Sequence, residues 1–293
     1  MPLLGQDLPR SLSRPVAILG PGLIGGSLAM ALRRGPNPRP VSVWARRAEA
    51  VEQAGKYLPG CRVSTDLAAI VGDCSIAVLC LPPKSIVSLG PELAKLLPPD
   101  AAATDAGSVK RSIVEGLEPI LGGRFVGAHP MAGSERNGIA AASADLYDGA
   151  VCILTPTPAS NPAALESVRS LWRETGCRLV EMAAADHDRA VARISHLPHA
   201  AAASLVHAAL SADASVAKLA AGGFRDSTRI ASSAPAMWSE ILLDNAAEVS
   251  AGIADLQTRL GELKLALESG NRPAVEAFLS GARELRAKPQ PEP

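Results

Sequence analysis

The stretch LGPGLIGGSLAMAL, residues 19–32, constrains this chain more than any other. It follows a short apolar run, VAIL at 16–19, and opens an amphipathic segment. Gly20, Gly22 and Gly25 therefore form a GxGxxG turn between a strand and a helix, with Leu23 and Ile24 inside it. Such a turn lets backbone approach a pyrophosphate, which then sits at the positive end of the helix. GxGxxG alone is a weak signal. In the first βαβ unit, near the start of its domain, it predicts a dinucleotide site.

The rest of the first half agrees with that turn. Strand candidates are VAIL (16–19), VSVWA (41–45), SIAVLCL (75–81), AAATD (101–105), RFVGA (124–128), AVCIL (150–154) and RLVEM (178–182), with amphipathic segments between them. Alternation of this kind predicts a mostly parallel sheet covered on both faces. After about Asp186 the strand signal stops and alanine-rich helical patterns run to the end. The expected class is α/β: a Rossmann-type dinucleotide-binding domain over 1–184, an all-helical dimerisation domain over 185–287, and a disordered tail over 288–293. One helix is expected from about Pro235 to Ser269, with Gly270 at its C-terminal cap. Its Val249, Ile253, Leu256, Leu260, Leu263 and Leu267 alternate spacings of four and three, a seam that buries against another helix. Packing within the chain and a homodimer interface both fit that seam.

Totals exclude several classes. Of 293 residues 47% are hydrophobic and 20% charged, which fits a packed interior. The 29 basic residues balance 29 acidic ones, so charge makes no case for nucleic acid or an anionic membrane as partner. No run approaches the ~18 apolar residues of a membrane span, and the first residues lack a signal-peptide core. Cys61, Cys74, Cys80, Cys152 and Cys177 form no CxxC pair, as expected of reduced thiols in a cytoplasmic protein.

Cofactor choice turns on the end of the second strand. An NAD site usually places a carboxylate there for the ribose 2′-hydroxyl. Here Ala45 stands at that place, with Arg46 and Arg47 behind it. Two guanidiniums and no carboxylate favour a 2′-phosphate, hence NADP over NAD; the bland alternative is two solvated arginines at a helix start. Leu81 and Pro82, ending the third strand candidate, should face the same cofactor.

Three loops leave the carboxyl ends of strands, where ligands collect in open α/β sheets: LPPKS (81–85), DAGSVK (105–110) and AHPMAGSERNG (128–138). Ser108 could be only a helix cap, although Arg111 three places on completes no capping box. His129 precedes Pro130, which keeps it extended and sends its loop to the cofactor side, where hydride chemistry needs a base. In the helical half, HDRAVARISHLPH holds His187, His196 and His199. Their spacing, with no cysteine and no carboxylate pattern nearby, predicts no metal, and a hydrogen-bonded core role is the default for each. Pro198 should kink that helix by removing a bond to the Ile194 carbonyl. Arg225 and Arg229, four apart, would share a helix face, either on the surface or beside a cleft that takes a carboxylate.

Taken together, DAGSVK, GAHPMAGSE, HDRAVARISHLPH and GGFRDSTRIA resemble the prephenate/arogenate dehydrogenases of tyrosine biosynthesis, over about residues 15 to 285. The resemblance implies NAD(P)-dependent oxidative decarboxylation of prephenate or arogenate, or both. It implies that His129 accepts the hydrogen bond or proton of the ring hydroxyl and that Ser108 orients both. Arg229 would clamp the ring carboxylate, Arg225 would lie near the side chain, and Glu135, His187, His196, His199 and Trp238 would line or gate the substrate site. Two departures stand out: Ala45 replaces the acidic residue common in NAD users, and no room appears for the C-terminal regulatory domain of many relatives. A competing β-hydroxyacid dehydrogenase would need a catalytic lysine, and neither Lys218 nor Lys264 sits in a suitable motif. A dinucleotide sensor without turnover would have no use for Ser108, His129 and Arg229 together.

Overall fold

The computed structural model describes residues 14–288 apart from Pro36 and Glu135. Eight strands form one sheet in the order β3-β2-β1-β4-β5-β6-β7-β8. They are β1 (Val16–Leu19), β2 (Val41–Trp44), β3 (Arg62–Ser64), β4 (Ile76–Leu79), β5 (Ala102–Asp105), β6 (Phe125–Pro130), β7 (Val151–Thr155) and β8 (Arg178–Glu181). The first six run parallel; β7 pairs antiparallel with β6 and parallel with β8, so the last two run in reverse. Helices α1 (Leu23–Arg33), α2 (Ala48–Tyr57), α3 (Leu67–Val71), α4 (Pro83–Leu96), α5 (Arg111–Leu121) and α6 (Pro162–Glu174) join them.

Strands buried on both faces read as continuous apolar runs, and alternate side chains enter opposite layers. Val16 and Ile18 pack with Leu28, Leu32, Val168 and Trp172 on one face. Ala17 and Leu19 pack with Ile70, Ile86, Leu93 and Ile113 on the other. Local capping sets several helix starts. Asp66 accepts from the Ala69 N–H at 3.2 Å, and Asn161 accepts from Ala163 at 2.8 Å just ahead of Pro162.

The C-terminal half is helical. It comprises α7 (Ala184–Val191), α8 (Leu197–Leu210), α9 (Gly222–Thr228), α10 (Pro235–Asp244), α11 (Ala246–Glu268) and α12 (Arg272–Ala287). Between α7 and α8 the chain makes one π turn, Ala192–His196. Pro198, in the first turn of α8, is the residue whose missing N–H relaxes the ladder there.

Three expectations change. The helix expected over Pro235–Ser269 bends at Asn245, where φ is −109° and ψ 30°, into α10 and α11. No glycine or proline causes this bend; Asn245 turns its carboxamide inward instead. Strand β3 was not expected, because three half-exposed residues carry little pattern. Arg225 and Arg229 do not share one helix, since α9 ends at Thr228 and Arg229 begins a 3-10 turn. Gly270 does end α11, with φ at +62° and its N–H bonded to the Leu267 carbonyl. Of the tail, residues 289–293 lie outside the described residues.

Candidate active site

The carboxyl ends of β1, β4, β5 and β6 face one side of the sheet, and a cavity of about 610 Å³ opens there. Gly20 makes the turn after β1 with φ at +111°, and a Cβ on it would strike the Cys80 carbonyl. A Cβ on Gly25 would strike the Gly20 carbonyl, so α1 can pack closely only as it is. Gly22 differs: nothing lies within 4 Å of where its Cβ would stand, and it lines the cavity with Leu23 and Ile24. The first turn of α1 has no side-chain cap and no acidic residue. Open space before uncapped N–H groups fits a pyrophosphate. The Tyr147 hydroxyl fixes this turn from beneath by donating to the Ile24 carbonyl at 2.6 Å.

Leu81 and Pro82 line the cavity beside the turn. Ala45 is buried just past β2, whereas Arg46 and Arg47 are exposed. Gly20, Gly25, Ala45, Arg46 and Arg47 are not part of the cavity wall itself.

His129 also lines this cavity, on the last residues of β6 and only 8% exposed. Its Nδ1 lies 2.8 Å from His187 Nε2, and His187 Nδ1 lies 2.8 Å from Asp188 Oδ1. The Asp188 carboxylate also accepts from the backbone N–H groups of Lys110 at 2.7 Å and Arg111 at 2.9 Å, at the start of α5. A carboxylate holding three donors stays charged. Burial pulls Asp188 upward, but the bonds from His187, Arg111 and Lys110 outweigh it and leave its pKa below the ordinary value.

These bonds fix the proton positions. Charged Asp188 can only accept, so His187 carries its proton on Nδ1 and offers a lone pair at Nε2. His129 must then donate from Nδ1, which leaves its Nε2 as a lone-pair acceptor. Burial, reinforced by His187, Lys110 and His196, holds the His129 pKa well below 6.5. Burial lowers His187 too, against the pull of Asp188. The cavity thus receives a neutral imidazole, a base at neutral pH.

Ser108 lines the cavity beside His129. It caps no helix: α5 begins at Arg111, and its first N–H groups are satisfied by Asp188, 77 residues away. Behind this loop lies a fully buried ion pair, Lys110 with Asp105. Asp105 also accepts from the Gly107 N–H at 2.8 Å and the Ala128 N–H at 3.1 Å. One carboxylate therefore ties the Ser108 loop to the His129 strand.

The far wall is supplied by the helical half. Trp238 and Arg229 line the cavity. His199 stacks on Trp238 with ring centroids 3.6 Å apart, and His196 meets its edge at 6.1 Å. Burial brings His196 down to about 4 and lowers His199 as well. Both rings are buried behind the wall rather than on it. Arg225 is exposed and outside the cavity wall, and Glu135 lies outside the described residues. Among the described residues no group of three His, Cys, Asp or Glu side chains is placed to hold a metal ion. No described helix is long and apolar enough to cross a membrane.

Two family models match. Residues 28–181, more than half of the chain, match the nucleotide-binding domain of prephenate dehydrogenase, and residues 183–280 match its dimerization domain. The chain belongs to the prephenate dehydrogenase family. Bacillus subtilis prephenate dehydrogenase is 37% identical over 237 residues, 78% of this chain and 64% of that protein, just under two thirds of its length. The crystal structure of A. aeolicus prephenate dehydrogenase with hydroxyphenyl propionate and NAD+ has a TM-score of 0.83 and 31% identity, covering 93% of this chain and 97% of that one. Synechocystis arogenate dehydrogenase has a TM-score of 0.78 and 30% identity, covering 94% and 99%.

Within this family member, the motifs read from sequence converge. Ser108, His129, Arg229, Trp238 and the glycine turn share one cavity. His187 and His196 stand one rank behind it. Asp105, Lys110, Asp188 and Asn245 were not singled out from sequence. The first three lie inside DAGSVK and HDRAVARISHLPH, and a polar residue within an apolar stripe marks the fourth.

Proposed function

We propose that this chain catalyses NAD(P)-dependent oxidative decarboxylation of prephenate, arogenate or both, giving 4-hydroxyphenylpyruvate or tyrosine. The observation that carries this reading is the acceptor Nε2 of His129 in a cavity bounded by the glycine turn and Ser108 on one side and Arg229 on the other. Nicotinamide, when bound, supplies the hydride acceptor. The chain's own groups do the rest. Arg229 holds the ring carboxylate by charge-assisted hydrogen bonds. Ser108 orients the ring hydroxyl toward His129, which takes its proton as the carbinol carbon gives up hydride. Loss of carbon dioxide from the opposite ring carbon returns an electron pair to the ring. Oxygen then regains a proton and the ring is aromatic. Aromatisation drives the reaction, so positioning is the protein's main contribution.

The supporting groups keep their roles from the resemblance, adjusted by place. Trp238, with His199 stacked behind it, forms the substrate wall. His187 and His196 support the site from behind; Arg225 is exposed outside the cavity wall, and its role near the substrate side chain, like that of Glu135, rests on the resemblance. NADP is the favoured dinucleotide: Ala45 offers no carboxylate to a ribose hydroxyl, and Arg46 and Arg47 are exposed beside it. The dinucleotide domain occupies 1–184 and the helical domain 185–287. A homodimer forms through the latter, because the α11 seam starts buried at Val249 yet leaves Leu260 and Leu267 55% and 61% exposed.

A two-by-two steady-state assay tests the reading: prephenate or arogenate, each with NAD or NADP, following the reduced nicotinamide. Turnover in any combination supports it, with NADP expected to lead. No turnover in all four, from folded protein that binds dinucleotide, overturns it.

A further inference from the structure

Asn245 interrupts an apolar stripe. Trp238, Ile241, Val249 and Ile253 repeat at helical spacings, and position 245 of that stripe carries a carboxamide. It is 6% exposed. Burial of an amide is tolerated where its polar atoms find partners. The Asn245 Nδ2 donates to the Asp188 carbonyl at 2.8 Å and lies 3.3 Å from His196 Nδ1. A carbonyl only accepts, so the amide cannot be turned the other way round. Nδ2 has only protons to offer, hence His196 Nδ1 holds the lone pair and its proton sits on Nε2. That ring lies against the Ser108 backbone and edge-on to Trp238. Its Nε2 is buried without a well-aligned hydrogen bond, and the Ser108 backbone on that side raises the ring's affinity for a proton, as an accepting carbonyl does, so both sides favour the same tautomer.

We propose that Asn245 is a positioning residue for the dehydrogenase reaction, locking the His196 tautomer beside Ser108 and holding the main chain of Asp188, the anchor of the His129 relay. The proposal rests on the functional reading above. It makes both ends of the reacting centre depend on one bend, between the helix that carries Trp238 and the helix that carries the leucine seam. This is also why a stripe suited to one straight helix is broken at this residue.

Two variants separate positioning from packing. Asn245→Leu removes both bonds while filling the space. Asn245→Asp keeps the shape but can only accept from the ring, so His196 must move its proton to Nδ1. Long-range proton–nitrogen correlation spectra of histidine-labelled protein read the tautomer directly, the His196 signals being assigned by their loss in His196→Asn. The wild type should show the Nε2–H form, and Asn245→Asp the Nδ1–H form. Both variants should lose about tenfold in kcat, on the order of one buried hydrogen bond, with KM and dinucleotide affinity within about twofold. A wild-type Nδ1–H tautomer, or kcat within twofold of wild type in folded variants, overturns the proposal. Should Asn245→Leu not fold, the isosteric Asn245→Asp carries the test alone. A wild type without turnover on any substrate–cofactor pair overturns the dehydrogenase reading, and the positioning role with it, while the spectrum still reports the tautomer separately.

Discussion

His187 stands directly behind His129, its Nε2 2.8 Å from the Nδ1 of the strand residue, although 58 positions separate them. That single contact joins the sheet to the first helix of the C-terminal half. It also sets the chemistry. A chain of donors running from His129 through His187 to Asp188 leaves the outermost nitrogen, His129 Nε2, without a proton. The strand provides the imidazole, and the helical half decides which of its nitrogens carries the lone pair.

Asp188→Asn tests that division of labour. An amide in place of the carboxylate keeps the shape but loses the charge that holds His187 and the first N–H groups of α5. Stability should fall by about 1–3 kcal/mol. Turnover should fall as well, because His187 no longer has a fixed tautomer. Denaturant melts and steady-state rates check both, and unchanged kcat would disconnect Asp188 from the base.

Acid should unfold the protein earlier than surface histidines would predict. His129, His187 and His196 all have pKa values lowered by burial from an ordinary 6.5, His196 to about 4. Above pH 6.5 neither the folded nor the unfolded state protonates them, and their full stability is present. As pH falls below 6.5 the unfolded chain takes up protons that the folded one refuses, so stability is lost down to about pH 4. Each histidine contributes up to ~1.4 kcal/mol per pH unit in that window. Thermal melts between pH 7.5 and 4.5 should show the decline, whereas a flat Tm across it would contradict neutral buried rings.

Arg229→Ala should separate substrate from cofactor. The loss of a charged hydrogen-bonding partner is worth ~1.5–3 kcal/mol, so kcat/KM for substrate should drop by roughly 10- to 100-fold. Dinucleotide affinity, measured by fluorescence titration, should hardly change. Equal loss of both would make Arg229 a structural residue.

Local chemistry was legible in the sequence and long-range chemistry was not. The glycine turn could be read because Gly20, Gly22 and Gly25 act within six residues, and one strand and one helix are all they need. His129 could be placed because Pro130 keeps it extended at a strand end. The reversal of β7 and β8 leaves no local mark, since apolar strands buried on both faces look alike in either direction. Ser108 reads as a possible cap because the group that satisfies the Arg111 N–H, Asp188, lies 77 residues beyond Arg111. His187 and His196 were identified without their rank in the site, which depends on bonds to Asp188 and Asn245 that no spacing encodes. The seam by itself suggests one unbroken C-terminal helix, and the polar Asn245 within the stripe is the sign that it bends.

The role proposed for His129 as the base is tested by His129→Asn. Asparagine retains a hydrogen-bonding group of similar reach but cannot take a proton at neutral pH. Steady-state turnover with the better substrate and cofactor should fall by about 10²–10⁴, while the fluorescence-measured Kd for the reduced dinucleotide stays at the wild-type value. A variant that turns over near the wild-type rate would contradict this role, because among the described residues lining the cavity none but His129 is a histidine or a carboxylate.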